Sequence, residues 1–432
     1  MMRKGRMFVV AAVTAWTILM ALALYDVRSF WPDTPLATDF LSFWTGASLI
    51  RDGVGPALYD MGTQHALEWK VLSMTTTIDP TKLVNWLDPY HTPPPLALIF
   101  VPLTWLPIPL GYLLWSAVSL GAFIAAIALP LRGLRDARSV AILMITIGPI
   151  ADNLIWGQVD ALFLLALSLS LLLLSRGKPF LGGVLLGFLW LKPQYAVLFP
   201  LIFLIKGRWR ELGGMAVTGL VFAALSLVIV RPEGVIIYAE VLRRIGEFRP
   251  PVSSFILPEI MINWRGLLIN LWPSVPEATG SVLMVVLGLV TALVSLLAWR
   301  GDWDPSSSRF PRQMLATVVA TLLAIPHSHF HGLVLLLAPL GLAVSRPMPG
   351  ARLTRFWQPF LVVGDLLCYV LWPMEHQRWL MMPFLMAAML VLIAQCWGYP
   401  RGVRELRMEG GDAKESVLTR LRLSRFRAVP GR

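Results

Sequence analysis

Charge is scarce in this 432-residue chain: Asp, Glu, Lys and Arg together make up 14% of it, against about 25% in ordinary globular proteins, while apolar residues reach 56%. So few charges cannot clothe a water-soluble surface, which excludes the soluble, disordered and fibrous classes. Cysteine is scarcer still. Cys368 and Cys396 are the only two, both inside apolar stretches, so neither a disulfide framework nor a thiolate metal centre fits. No Asn-x-Ser/Thr acceptor occurs, although a chain facing a eukaryotic secretory lumen would often carry one, and the expected setting is a bacterial inner membrane. The 37 basic residues outnumber 25 acidic ones, a net charge of +12. Nucleic acid would need those charges gathered on one face of a folded domain; here they sit between apolar runs, and nucleic acid is not an expected partner.

What the chain has instead is a series of long apolar runs. The first, Met7 to Tyr25, follows Arg3, Lys4 and Arg6. Ala21-Leu22-Ala23 imitates a signal-peptide cleavage site, but a run of 19 residues approaches the roughly 20 that span a bilayer, so a retained first helix is expected. Further runs lie at about 109 to 130, 139 to 151, 160 to 175, 179 to 191, 195 to 205, 212 to 230, 281 to 299, 313 to 325, 331 to 344, 357 to 372 and 380 to 397. The fold class that follows is an all-α polytopic membrane protein of about 12 transmembrane helices. Placing alternate connections in the cytosol puts 26 of the 37 basic residues there with only 8 acidic ones, as the positive-inside rule requires. Both termini are then cytosolic. Residues 95 to 106 are apolar enough to span, but counting them would turn Arg132, Arg135 and Arg138 outward, so they read as an interfacial or re-entrant piece. The expected organisation is one membrane domain over 1–397, with outer loops at 26–108 and 231–280, and a basic cytosolic tail at 398–432 that rests on anionic lipid.

The first outer loop is too long for a mere connector. Phe40, Phe43, Trp44, Ala47 and Ile50 fall on one face of a short helix that Gly53 and Gly55 stop, and a second piece runs from about Met61 to Leu72. Both are expected at the membrane interface. Asp39 stands immediately before the first of them, placed either to cap it or to act as a catalytic base. Three other polar clusters arrive on the same outer side: Asp152-Asn153 with Gly157-Gln158-Val159-Asp160, Lys192-Pro193-Gln194, and His327-Ser328-His329-Phe330-His331. Lys192 lies between two short apolar runs with no acid nearby in sequence. Either it snorkels, or it needs an anion that a lipid phosphate would supply. The histidines read as hydrogen-bond partners for a phosphate or a hydroxyl, as a polar helix end, or as metal ligands; no carboxylate or Cys beside them supports the last, and no metal or other cofactor is expected.

At these clusters the chain resembles glycosyltransferase family 87, polytopic enzymes of the GT-C superfamily. The resemblance rests on Thr38-Asp39-Phe40 and Gly53-Val54-Gly55-Pro56-Ala57-Leu58-Tyr59, and on Tyr90-His91-Thr92-Pro93-Pro94-Pro95 leading into Val101-Pro102-Leu103. It continues through Gly157-Gln158-Val159-Asp160, Trp190-Leu191-Lys192-Pro193-Gln194, Arg208-Trp209-Arg210 and the Pro326 to His331 stretch. It implies a GT-C-like fold and an inverting transfer of a hexose, mannose being the favoured one, from a polyprenyl-phosphate sugar to a glycolipid or glycan acceptor on the outer face. The catalytic Asp maps onto Asp39, and the histidine segment is expected to line the site. Within that frame His329 and His331 are expected to be catalytic, and Lys192, His327 and Arg265 to bind the donor phosphate. Gln158, Asp160, Gln194 and Tyr59 are expected to line the substrate cavity. The competing expectation is a transporter or flippase for a lipid-linked sugar, with Asp160, Lys192 and Asp365 as its working charges.

Overall fold

A computed structural model describes residues 39–75, 89–129, 147–250, 257–346, 363–364, 367–368, 370–371 and 374–397. The expected first helix at Met7 to Tyr25, the connection holding Arg132, Arg135 and Arg138, Asp365 and the basic tail lie outside the described residues. Among the described ones every regular element is helical. Four helices are long and apolar enough to cross a membrane: 108–128, 209–245, 277–299 and 376–397. Shorter apolar helices fill the space between them. The main buried core is continuous from Phe40 to Cys396.

Within the segment expected as the first outer loop, the described residues open with α1 (Asp39–Arg51), whose only acidic residue is in the first turn, where the helix dipole favours it. The periodicity of Phe40, Phe43, Trp44 and Ala47 predicts one buried face; in fact every residue from Phe40 to Leu49 is buried, Ser42, Thr45 and Ser48 included. The reason is what lies against it. After α2 (Met61–Thr75), the proline-led helix α3 (Pro94–Phe100) runs into a 3-10 turn at Val101–Trp105 and packs on α1, with Phe43 stacked on Phe100 at 5.0 Å and edge-on to Tyr90. Residues 94 to 105 thus form an apolar helical piece shorter than a span. Next comes α4 (Ile108–Ala128), whose Tyr112 meets Phe40 edge-on at 5.4 Å.

The following helices are short: α5 (Ile147–Trp156), α6 (Asp160–Ser175), α7 (Pro179–Leu186) continued by a 3-10 turn at Gly187–Leu191, α8 (Pro193–Ala196) and α9 (Leu198–Ile205). The long helix α10 (Trp209–Ile245) then crosses α7 at backbone distance. A Cβ on Gly183 would stand 2.0 Å from the carbonyl oxygen of Glu211, and one on Gly214 would stand 2.1 Å from that of Phe180. Small residues at such a crossing are how membrane helices gain van der Waals contact without a hydrophobic driving force.

The sequence places an outer loop over 231–280, after the apolar run that ends at about residue 230. In the structure the chain kinks there, with Arg231 at φ 61° and ψ 173°, and then resumes helix to Ile245. The segment expected as a second outer loop therefore starts as a helix. The fold closes with α11 (Trp264–Leu271), α12 (Glu277–Ser295), α13 (Phe310–Ala324), a 3-10 stretch at Phe330–Leu336, α14 (Leu337–Ser345) and α15 (Met381–Trp397).

Candidate active site

The site begins at a glycine. Gly157 has φ +66°, which side chains rarely adopt, and a Cβ there would stand 2.5 Å from Cβ of Phe40. Its bareness lets the turn between α5 and α6 press against the first turn of α1, where Asp39 is half-buried. Gln158 consequently donates from its amide nitrogen to the Asp39 carboxylate and accepts, through its amide oxygen, from Lys192 Nζ at 2.9 Å. Only one orientation of the amide satisfies both partners.

Lys192 is fixed by the break before Pro193, at φ −130° and ψ 84°, between the 3-10 turn and α8. Its ammonium also meets Asp160 Oδ1 at 2.9 Å. The anion that this buried cation needs comes from the chain itself: Asp160, fully buried in the first turn of α6, which no spacing rule pairs with Lys192. The other oxygen of Asp160 takes His331 Nδ1 at 2.5 Å. A continuous polar series therefore runs Asp39, Gln158, Lys192, Asp160, His331, drawn from α1, the Gly157 turn, α6, the Lys192 break and the 3-10 stretch after α13.

The other histidines extend the series. The His329 and His331 rings stack at 5.9 Å, His327 meets His329 at 4.7 Å, and His91, just before α3, meets His327 at 5.8 Å. Burial pushes the imidazoles of His327 and His329 well down from their ordinary pKa, and neighbouring histidines and the cations Lys192 and Arg265 push the same way. At neutral pH both are uncharged and act as hydrogen-bonding groups rather than as cations.

Arg265 is close by but otherwise engaged. Its guanidinium donates to the carbonyl oxygens of Phe248, Ile245, Pro326 and Glu247. Asn263 caps α11 by accepting from the Gly266 N–H and donates to the Ile325 carbonyl, while the Ile262 N–H reaches that of Ser328. Together these bonds clamp the entry to the histidine segment. Tyr59, expected to line a substrate cavity, is buried among its own neighbours: its hydroxyl donates to the Thr92 carbonyl at 2.8 Å and its ring stacks on Tyr238 at 4.7 Å. Gln194 is half-buried just past Lys192 and outside the series.

Sequence reasoning overlooked Arg378. It pairs with Asp152 at 2.9 Å, and its guanidinium lies over the Phe330 ring at 5.1 Å, so it props the histidine segment. The signal was available, since the polar stretch Glu375-His376-Gln377-Arg378 interrupts an otherwise apolar region. Both amide atoms of Asn153, Oγ of Ser328 and Nδ1 of His327 are buried without a hydrogen-bond partner among the described residues. Unsatisfied polar atoms gathered at such a junction suit a polar ligand.

A model of glycosyltransferase family 87 matches residues 90–326, a stretch that holds Gln158, Asp160, Lys192 and Arg265, begins after Asp39 and stops just short of His327. Among curated proteins, the chain is 27% identical over 222 residues to the polyprenol-phosphate-mannose-dependent alpha-(1-2)-phosphatidylinositol pentamannoside mannosyltransferase of Mycolicibacterium smegmatis, a match covering 49% of this chain and 51% of that protein. It is 27% identical over 294 residues to the protein of the same description from Mycobacterium tuberculosis, covering 64% of each. The matched region thus spans from about half to just under two thirds of these relatives. No solved structure matches the chain.

Proposed function

The chain belongs to glycosyltransferase family 87, and from that premise we propose that it moves a sugar, mannose on the strength of its relatives, from a polyprenyl-phosphate donor to a glycolipid or glycan acceptor. The observation that carries this reading is the series ending in a single carboxylate, Asp39, tied through Gln158 to the buried cation Lys192. Asp39 takes the proton as the acceptor's O–H bond breaks. The freed oxygen bonds to the anomeric carbon from the face opposite the phosphate, and the carbon–oxygen bond to phosphate breaks with its electron pair leaving on the phosphate, which inverts the configuration. A glycosidase needs a second carboxyl to protonate an alkoxide, whereas a phosphate leaves unprotonated.

Lys192 makes two of its three possible hydrogen bonds inside the protein, to Gln158 and Asp160, and keeps the third N–H for a donor phosphate oxygen. Asp160 is occupied by Lys192 and His331, which suits it to hold them rather than to act as base. His331, oriented by Asp160, keeps Nε2 for substrate, and neutral His327 and His329 suit hydroxyls better than phosphate. Arg265 serves in this scheme as a positioning residue for the histidine segment. A GT-C architecture, about twelve membrane helices and a site open to the exterior complete the proposal. The basic connections support the orientation, because nucleotide sugars are cytosolic and an outer site needs a lipid-borne donor.

The test is radiolabelled transfer from polyprenyl-phosphate mannose in membranes holding equal amounts of wild type or Asp39→Asn. The expected result is a loss of about 10²–10⁴-fold in the variant. Equal transfer by both chains makes Asp39 a helix cap only, and transfer by neither, with any polyprenyl-phosphate sugar, returns the carrier reading.

A further inference from the structure

His91 has no role in the scheme above, although it stands at the same place. The backbone on both sides of it is pinned. Gln64 exchanges two hydrogen bonds with the main chain of Tyr90, the Tyr90 hydroxyl donates to the Pro93 carbonyl, and the Tyr59 hydroxyl donates to that of Thr92. The imidazole is fixed as well: Nδ1 lies 2.9 Å from the Pro89 carbonyl oxygen. A carbonyl only accepts, so Nδ1 carries the proton, and in the neutral ring Nε2 bears a lone pair.

That nitrogen has no hydrogen-bond partner among the described residues, and the ring is partly exposed. The ring sits edge-on to His327, and the charges of both Asp39 and Lys192 act on it. His91 therefore closes the arc of polar groups that runs from Asp39 through Lys192 and His331 back to His327. A rigid acceptor of this kind, within the field of a base and a cation, is arranged to meet a ligand rather than to complete the fold.

We propose that His91 touches substrate, its Nε2 accepting a hydrogen bond from a hydroxyl of the transferred sugar or of the acceptor. Burial pushes its pKa down, which keeps Nε2 an acceptor at neutral pH. The proposal rests on the glycosyl-transfer reading and adds to it a contact for a hydroxyl.

Two amides separate this role from a structural one. In His91→Asn the side-chain amide reproduces the bond to Pro89 and leaves the Nε2 position empty; in His91→Gln the amide oxygen reaches the Nε2 position. The purified full chain would be compared in both variants for transfer, for acceptor KM, and for binding of polyprenyl-phosphate mannose against polyprenyl phosphate. The expected result is a loss of about tenfold in kcat/KM for His91→Asn, largely restored in His91→Gln, with thermal unfolding unchanged in His91→Asn, which keeps the Pro89 bond. If the hydroxyl belongs to the transferred sugar, His91→Asn also loses its preference for the mannose-bearing lipid. If it belongs to the acceptor, that preference stays and acceptor KM rises about tenfold. Normal transfer by His91→Asn overturns the proposal, whether or not His91→Gln is impaired. So does an equal kcat loss in both with binding and acceptor KM unchanged. A wild type that neither binds nor transfers fails at the earlier step and removes the glycosyl-transfer reading itself.

Discussion

At the exposed end of α10, Arg243 meets Glu240 at 2.7 Å and Glu247 at 2.8 Å, while in the site Lys192 meets Asp160 and Arg378 meets Asp152, each at 2.9 Å. The lengths are alike and the surroundings are opposite. The first group's side chains are 33–62% exposed and the second's 0–9%. The exposed pairs join residues three and four apart on one helix, where water and salt screen them. The inner pairs join distant segments, and each took two charges out of water to do so. Such pairs add little net stability over an apolar replacement, yet breaking one strands a buried charge. They fix where Gln158, His331 and Phe330 stand, which is a statement about the site before it is one about stability.

Mutations sharpen that contrast. Asp160→Ala is expected to have the largest effect, about 3–5 kcal/mol of unfolding free energy, because Lys192 is left buried without an anion. Adding Lys192→Met to that variant should recover much of the loss in thermal unfolding of the purified protein, while sugar transfer stays absent. Arg378→Met should cost less, about 3 kcal/mol, since Arg378 and Asp152 keep 9% and 4% exposure; transfer should fall with it as Phe330 and the histidines shift. Arg243→Ala, at the exposed end of the comparison, should leave both the unfolding temperature and transfer where they are. A stability loss there equal to that of Arg378→Met would erase the distinction between the two regions.

Much of this site was legible in the sequence, because a polar residue in an apolar chain is conspicuous: Gln158, Asp160, Lys192 and the histidines announce themselves. What was not legible is who pairs with whom. Lys192 looked like a cation waiting for an outside phosphate, since Asp160 lies 32 residues away and comes near only when the Gly157 turn folds against Phe40. Arg265 looked like a phosphate ligand for a similar reason, as no pattern reveals that carbonyls at a helix end and at Pro326 will claim its donors. Helix lengths followed the apolar runs closely, with α6 spanning the residues expected. Two departed from them: α5 continues to Trp156, past the run that ends at about 151, and α10 resumes beyond a kink at Arg231 and Pro232 to Ile245, inside the segment expected as a loop.

The shortness of α6 matters inside the protein. Sixteen residues make about 24 Å at ~1.5 Å per residue, against a hydrocarbon thickness of ~30 Å. No residue of α6 is exposed, so neighbouring helices rather than lipid cover it, and its missing length is not a mismatch that a bilayer has to absorb. A helix that starts at Asp160 instead leaves room before its first turn for the polar groups that meet it there, Lys192 and His331.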